Sequence, residues 1–283
     1  MLKKLREKHI WFYAIFVLVL FKVGQDLSDI PLNYVFGHGL YPKSETAQVF
    51  YGQMIADFVV VLIMIFVLWR TGKVNLLIKK GMGFFKGMPE AMYPVCFSLV
   101  ALVGSCFFAL AEDAKVASIC DIGIYVLCMF MIGLSEELCT RVIIAQSFLE
   151  HYGTNSKGIW KAAIFSGILF GCLHLVNLEV KESIDVIVQC IVAGVGGITY
   201  AAIYFRTGNY WILVFVHALN DFGTSAMFGV FQYGNIVDTF SSSTTQSSDF
   251  SGLFLIIPEI IVILFLLRKK KIDQVKKAWP EID

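Results

Sequence analysis

Charge is what this chain has least of. Only 16% of its 283 residues are Asp, Glu, Lys or Arg, against 57% hydrophobic and a mean hydropathy of +0.72. That excludes a soluble domain of this length, which needs far more charged surface. No polar stretch is long enough to build a second, water-exposed core. No internal repeat is present, and no pair of matching broken helices, which weighs against a transporter built from repeats. The seven cysteines (96, 106, 120, 128, 139, 172 and 190) show no C-x-x-C or other metal-ligand spacing. They read as small buried hydrophobes. No H-E-x-x-H occurs either. No small-x-small cleavage site follows the apolar run Ile10–Phe21; Lys22-Val23-Gly24-Gln25 comes next. The first helix therefore reads as retained rather than as a signal peptide.

What is present is a series of apolar runs of membrane-spanning length. They cover roughly 9–24, 48–69, 91–111, 119–149, 160–177, 184–205, 210–229 and 252–267. The fourth is long, at about 46 Å as a helix against a hydrocarbon core of about 30 Å. The net charge of +1 says little, but the distribution of charge says more. With the N-terminus inside, segments 1–8, 70–90, 150–161, Arg206 and 268–277 hold 18 basic residues; Lys22, Lys43, Lys115 and Lys181 are the 4 on the other side. This bias predicts eight helices with both termini cytoplasmic. The loop around 232–251 has no Lys or Arg, and its tract Ser241–Ser248 reads as flexible and solvated. The tail Arg268-Lys269-Lys270-Lys271 reads as a stop-transfer flank touching anionic lipid, with no nucleic-acid role. The expected fold is all-α: one polytopic transmembrane domain over 1–283 around a polar intramembrane cavity.

The polar residues inside these runs are few and costly. A charge at the centre of a spanning helix costs about 2.5–3.5 kcal/mol on insertion scales. The fourth run nevertheless carries Glu136, Glu137 and Arg141. Glu137 and Arg141 are four apart and can pair on one helix face. Glu136 points about 100° away and has no basic residue at i+3 or i+4, which leaves it free for proton transfer. A purely structural ion-pair network between helices is the alternative. His174 in the fifth run and Glu136 in the fourth each lie 14 residues from the cytoplasmic end of their run, about 21 Å in. His217 and Asp221 in the seventh share a face. The acid can set the histidine's tautomer, or the two can stabilise an oxyanion. Counted from Tyr210, His217 comes out about 10 Å shallower than His174. Gly194, Gly196 and Gly197 predict close helix approach. His9, His38 and His151 read as solvated. Asp57 and Glu259 read as intramembrane acids, each paired with a neighbouring helix.

Three elements, Glu136-Glu137-x-x-x-Arg141, Phe170-x-x-x-His174 and His217-x-x-x-Asp221, resemble the signature of the CPBP family, the CAAX proteases and bacteriocin-processing (Abi) enzymes. The resemblance covers about 119–229 as a catalytic core. It implies an intramembrane endopeptidase of a bacterial cell membrane, acting on a membrane-embedded or lipidated peptide or protein toward the cytoplasmic half of the bilayer. Carried over, Glu136 and His174 activate the attacking water, and His217 and Asp221 form the oxyanion-binding side. Glu137, Arg141 and Phe170 hold the site together. The family carries Asn or Asp at the last motif position. An ionised Asp221 is a poor oxyanion donor, so it orients His217, with Asn220 as an outside candidate for the donor. Glu136, His174 and His217 also form a conceivable zinc set, and the family has been described as metalloproteases. The metal-free route, requiring no cofactor, is favoured. The resemblance also permits a non-enzymatic role as an immunity protein or as a regulator of a membrane sensor kinase. Ion-coupled transport is the remaining alternative.

Overall fold

The computed structural model describes residues 2–179, 183–232 and 250–282. Among them the chain is helical, with no strand. Seven helical segments are long and apolar enough to cross a membrane: α1 Ile10–Gly37, α2 Glu45–Thr71, α3 Phe84–Ala111, α4 Ile119–Tyr152, α5 Ser156–Leu178, α6 Ser183–Thr207 and α7 Tyr210–Gly229. Where the eighth span is expected there is a shorter apolar helix, α8, Leu253–Leu266. At 1.5 Å per residue it reaches about 21 Å, less than the hydrocarbon thickness. The segments expected to be short, 9–24 and 160–177, are both longer than their apolar runs. Past Leu27 the first continues through Ser28 into Asp29–Gly37. The fifth starts early because the Asn155 side chain accepts from Gly158 N at 3.0 Å, an N-cap that satisfies an orphan donor. Ser44, Ser118 and Asn209 cap α2, α4 and α7 in the same way. The Ser241–Ser248 tract and Lys181 lie outside the described residues.

The five segments carrying the 18 basic residues meet at one end of the bundle. Glu150 joins Arg6 to Lys73, whose Nζ lies 2.8 Å away. Glu90 joins Arg206 to Lys271. The C-terminal helix Ile272–Ala278 folds back under α6, where the buried Trp279 donates from Nε1 to Phe205 O at 2.8 Å. Residues 2–8 and 271–282 therefore lie at the same end. Between this plate and the middle of the bundle the core is solid: from Glu137 to Leu149 every residue of α4 is at most 3% exposed.

Glycines set two close crossings. A Cβ on Gly133 of α4 would lie 3.0 Å from Val214 O of α7. One on Gly171 of α5 would lie 2.4 Å from Cys190 O of α6. Gly194 and Gly197 pack against α5, as the triple glycine predicts, but Gly196 meets nothing within 4 Å. The cysteines depart from expectation. Cys128 and Cys139 are buried, whereas Cys96, Cys120 and Cys172 are exposed, Cys172 on the wall of a cavity.

Candidate active site

The site forms where α4 and α7 cross at Gly133. Directly after Glu137, α4 widens into a π-helical stretch, Leu138–Ala145. There Thr140 Oγ1 donates to the Glu136 carbonyl at 2.5 Å, occupying an acceptor that the α-helical ladder would otherwise use. Such π turns inside helices are frequent at functional sites.

Glu137 is fully buried and holds two partners. Its Oε2 lies 3.1 Å from Arg141 Nε, the pair expected from the sequence. The contact is an ion pair without hydrogen-bond alignment, since neither atom has a hydrogen-bond partner. Its Oε1 lies 2.8 Å from His217 Nδ1. Arg141 is steadied further by Thr140 Oγ1 and by the rings of Phe170 and Tyr200, 4.3 and 5.3 Å from its guanidinium carbon. A cation over an aromatic face contributes about 0.5–2 kcal/mol, most when water is excluded.

His217 is the hub. Its Nε2 lies 3.5 Å from Glu136 Oε2 and 3.6 Å from Asp221 Oδ2. The shared face of His217 and Asp221 is thus realised, but Glu136 is not left without a basic partner. That partner comes from α7, which spacing along α4 could not reveal. The depth mismatch for His217 has a geometric cause. α7 does begin at Tyr210, but its start is recessed: Tyr210 is 3% exposed. Asn209 Nδ2 donates to Lys80 O at 3.2 Å. Gly81, at φ +47, lets Met82 N reach Thr207 O at 2.7 Å. Position 210 therefore sits inside the bundle, and His217 arrives level with the glutamates.

His174 begins a 3-10 turn at the end of the α-helical part of α5, with Nδ1 3.2 Å from Phe170 O and its ring 5.3 Å from that of Phe170. It lines the same cavity as Glu136, His217 and Asp221, about 790 Å³ in volume. A second cavity of about 210 Å³ lies between α3, α6 and α8 and shares His174, His217 and Asp221. Phe170, Tyr200 and Asn220 face this second cavity, and the Asn220 side chain hydrogen-bonds Asp221.

Asp57 of α2 accepts from Ser135 Oγ at 2.6 Å and from Gln53 Nε2 at 2.9 Å, one residue away from Glu136. Thr199 holds Glu259. Both acids pair with a neighbouring helix, as expected. The roles of Ser135, Thr140 and Tyr200 escape sequence reasoning, because a lone Ser, Thr or Tyr in an apolar run carries no pattern. His9, His38 and His151 are exposed.

The zinc set does not assemble. Among the described residues no group of three or more His, Cys, Asp or Glu is arranged to hold a metal ion. His217 Nδ1 is occupied by Glu137, its Nε2 faces two carboxylates, and His174 is not gathered to the same point.

Residues 118–223 match the family described as Rce1-like type II CAAX prenyl endopeptidases. Over these residues the chain is similar to the CAAX-protease family. The match spans all three motifs and every residue of the His217 hub. No curated protein and no solved structure matches the chain. At family level this similarity supports an intramembrane endopeptidase, and with seven apolar spans the protein is an integral multi-pass membrane protein.

Proposed function

We propose that this protein hydrolyses a peptide bond of a membrane-associated or lipid-modified polypeptide, without a metal, at the cavity walled by Glu136, His174, His217 and Asp221. The observation that carries this reading is the 2.8 Å contact of His217 Nδ1 with Glu137. Glu137 Oε1 accepts from Nδ1–H, which leaves Nε2 aimed at Glu136 and the cavity. Glu136 takes a proton from water, the hydroxide attacks the carbonyl carbon, and the C–N bond breaks as that proton passes to the leaving amine. His217 enters the cycle as the imidazolium, Nδ1–H held by Glu137 and Nε2–H lying between Glu136 and Asp221; it stabilises the oxyanion through Nε2–H and keeps both protons throughout, with Asp221 orienting the ring. His174, across the same cavity, steadies the water.

The test is cleavage of quenched fluorescent peptides, with and without a prenylated C-terminal cysteine, by purified protein in proteoliposomes. Glu136→Ala and His174→Ala each lower the rate about 10²–10⁴-fold while the protein stays folded. Full activity in purified Glu136→Ala protein overturns the assignment. Exhaustive chelation leaves the rate unchanged. Stoichiometric zinc whose removal abolishes cleavage overturns the metal-free route.

A further inference from the structure

The geometry points to substrate entry from the end of the bundle opposite the termini, so that the polypeptide cut is an extended, outward-facing segment on the extracytoplasmic side. This rests on the peptidase reading of Glu136 and His217, and it reverses the expectation of chemistry toward the cytoplasmic half.

The first ground is closure of the near end. Below Glu136, Leu138 to Leu149 pack among Tyr204, Phe205, Leu213 and Val214, all with less than 4% exposure. The ion pairs of Glu150 and Glu90 and the buried Trp279 lie beyond them. Neither water nor a peptide backbone can cross that much packed apolar core, where each unpaired backbone group would cost several kcal/mol.

The second ground is the direction of the large cavity. Glu136 and His217 line it beside the packed core, Ile15, Leu18 and Val19 of α1 line one side, and it continues through Ile132, Gln53, Gln189, Thr224 and Phe228. Measured along α7 from Gly229, His217 lies about 18 Å deep and Thr224 about 8 Å. Gln189 is about 9 Å from the start of α6. These depths run from the reactive groups toward the ends of α6 and α7 that lie away from the plate.

Charge supplies the side. The plate end holds 18 of the basic residues, against Lys22, Lys43 and Lys115 among the described residues on the other side, which places the plate in the cytoplasm. Lining chemistry supplies the substrate class. Apart from the acids and histidines of the site, the walls are largely apolar (Ile15, Leu18, Met129 and Phe228 among them), and between these stand amides and hydroxyls (Gln25, Gln53, Asn177, Gln189, Thr224, Ser225), with Lys22 the one Lys or Arg. Such groups satisfy the N–H and C=O of an extended backbone and select for no strong side-chain charge.

Thiol accessibility decides it. In a background where the five cysteines that are not buried are replaced by Ser and Cys128 and Cys139 are kept, three variants are made: Thr224→Cys, Ile132→Cys and Lys4→Cys. Cells are treated with a membrane-impermeant cationic methanethiosulfonate. Thr224→Cys and Ile132→Cys, the latter a turn above Glu136, are labelled in intact cells, and Lys4→Cys only after permeabilisation. Labelling of Ile132→Cys only after permeabilisation, or of Lys4→Cys in intact cells, overturns the proposal. If Ile132→Cys fails to fold, Thr224→Cys at the cavity mouth decides between the two sides by the same criterion. Labelling needs no turnover. Reversed labelling with intact peptide cleavage therefore defeats the entry route alone, and absent cleavage with outward labelling defeats the peptidase reading alone.

Discussion

At the scale of single residues, Glu137 does the organising and Glu136 is what it leaves available. One buried carboxylate pairs with Arg141 through Oε2 and holds His217 Nδ1 through Oε1. Removing it strands a buried guanidinium, and breaking a buried pair by deleting one partner costs about 3–5 kcal/mol. Glu137→Leu is expected to lose that much in detergent unfolding and to lose cleavage with it. Glu137→Gln, which keeps an acceptor for Nδ1–H, is expected to recover part of the stability and little of the rate. Equal activity for Glu137→Gln and wild type would show that the charge on Glu137 is not needed to set the imidazole. Asp57 acts one step further out. Asp57→Leu removes the 2.6 Å acceptor of Ser135 Oγ, which keeps the Ile132 carbonyl at 3.0 Å, and is expected to cost about 0.5–1.5 kcal/mol. Asp57→Asn keeps an acceptor oxygen and is expected to cost less, a difference read from the two unfolding midpoints.

At the scale of helices, the sequence is legible in what each helix does alone. The ion pair of Glu137 with Arg141 and the shared face of His217 with Asp221 follow from i,i+4 spacing, and both are present. The partner of Glu136 is not legible, because it depends on where α7 starts relative to α4. That start is fixed by a turn at Gly81 and by Asn209, with no trace in hydrophobic periodicity. The π stretch is equally hidden, since a one-residue widening shifts no apolar pattern enough to notice. The glycines show the same limit. Three glycines in α6 look alike in sequence, yet Gly194 and Gly197 face α5 and Gly196 faces open space. Gly171→Val is therefore expected to force α5 off α6, costing about 1–3 kcal/mol and displacing Phe170 and His174. Gly196→Ala has room for its methyl and replaces a flexible residue within a helix, so it is expected to stabilise by about 0.5–1 kcal/mol. Unfolding midpoints that rank the two substitutions the other way would mean that the α5–α6 crossing is not held by glycine contact.

At the scale of the whole molecule, the bundle is built asymmetrically. One end is a seal of ion pairs and packed aromatics, and the other holds the cavity. Trp279 is the centre of the seal. It is fully buried, donates to Phe205 O, packs edge-on to Tyr204 at 5.2 Å and carries Lys79 Nζ 3.6 Å from its ring centroid. Truncating a buried Trp costs about 3–5 kcal/mol. The same residue lines neither cavity at the site. Trp279→Ala is therefore expected to lower the unfolding midpoint markedly while leaving the cleavage rate, measured well below that midpoint, within about threefold of wild type, a change in barrier of under 1 kcal/mol. Stability and chemistry separate in this way only if the plate closes one end without shaping the other. A Trp279→Ala protein of unchanged stability but collapsed activity would instead make the C-terminal helix a working part of the site.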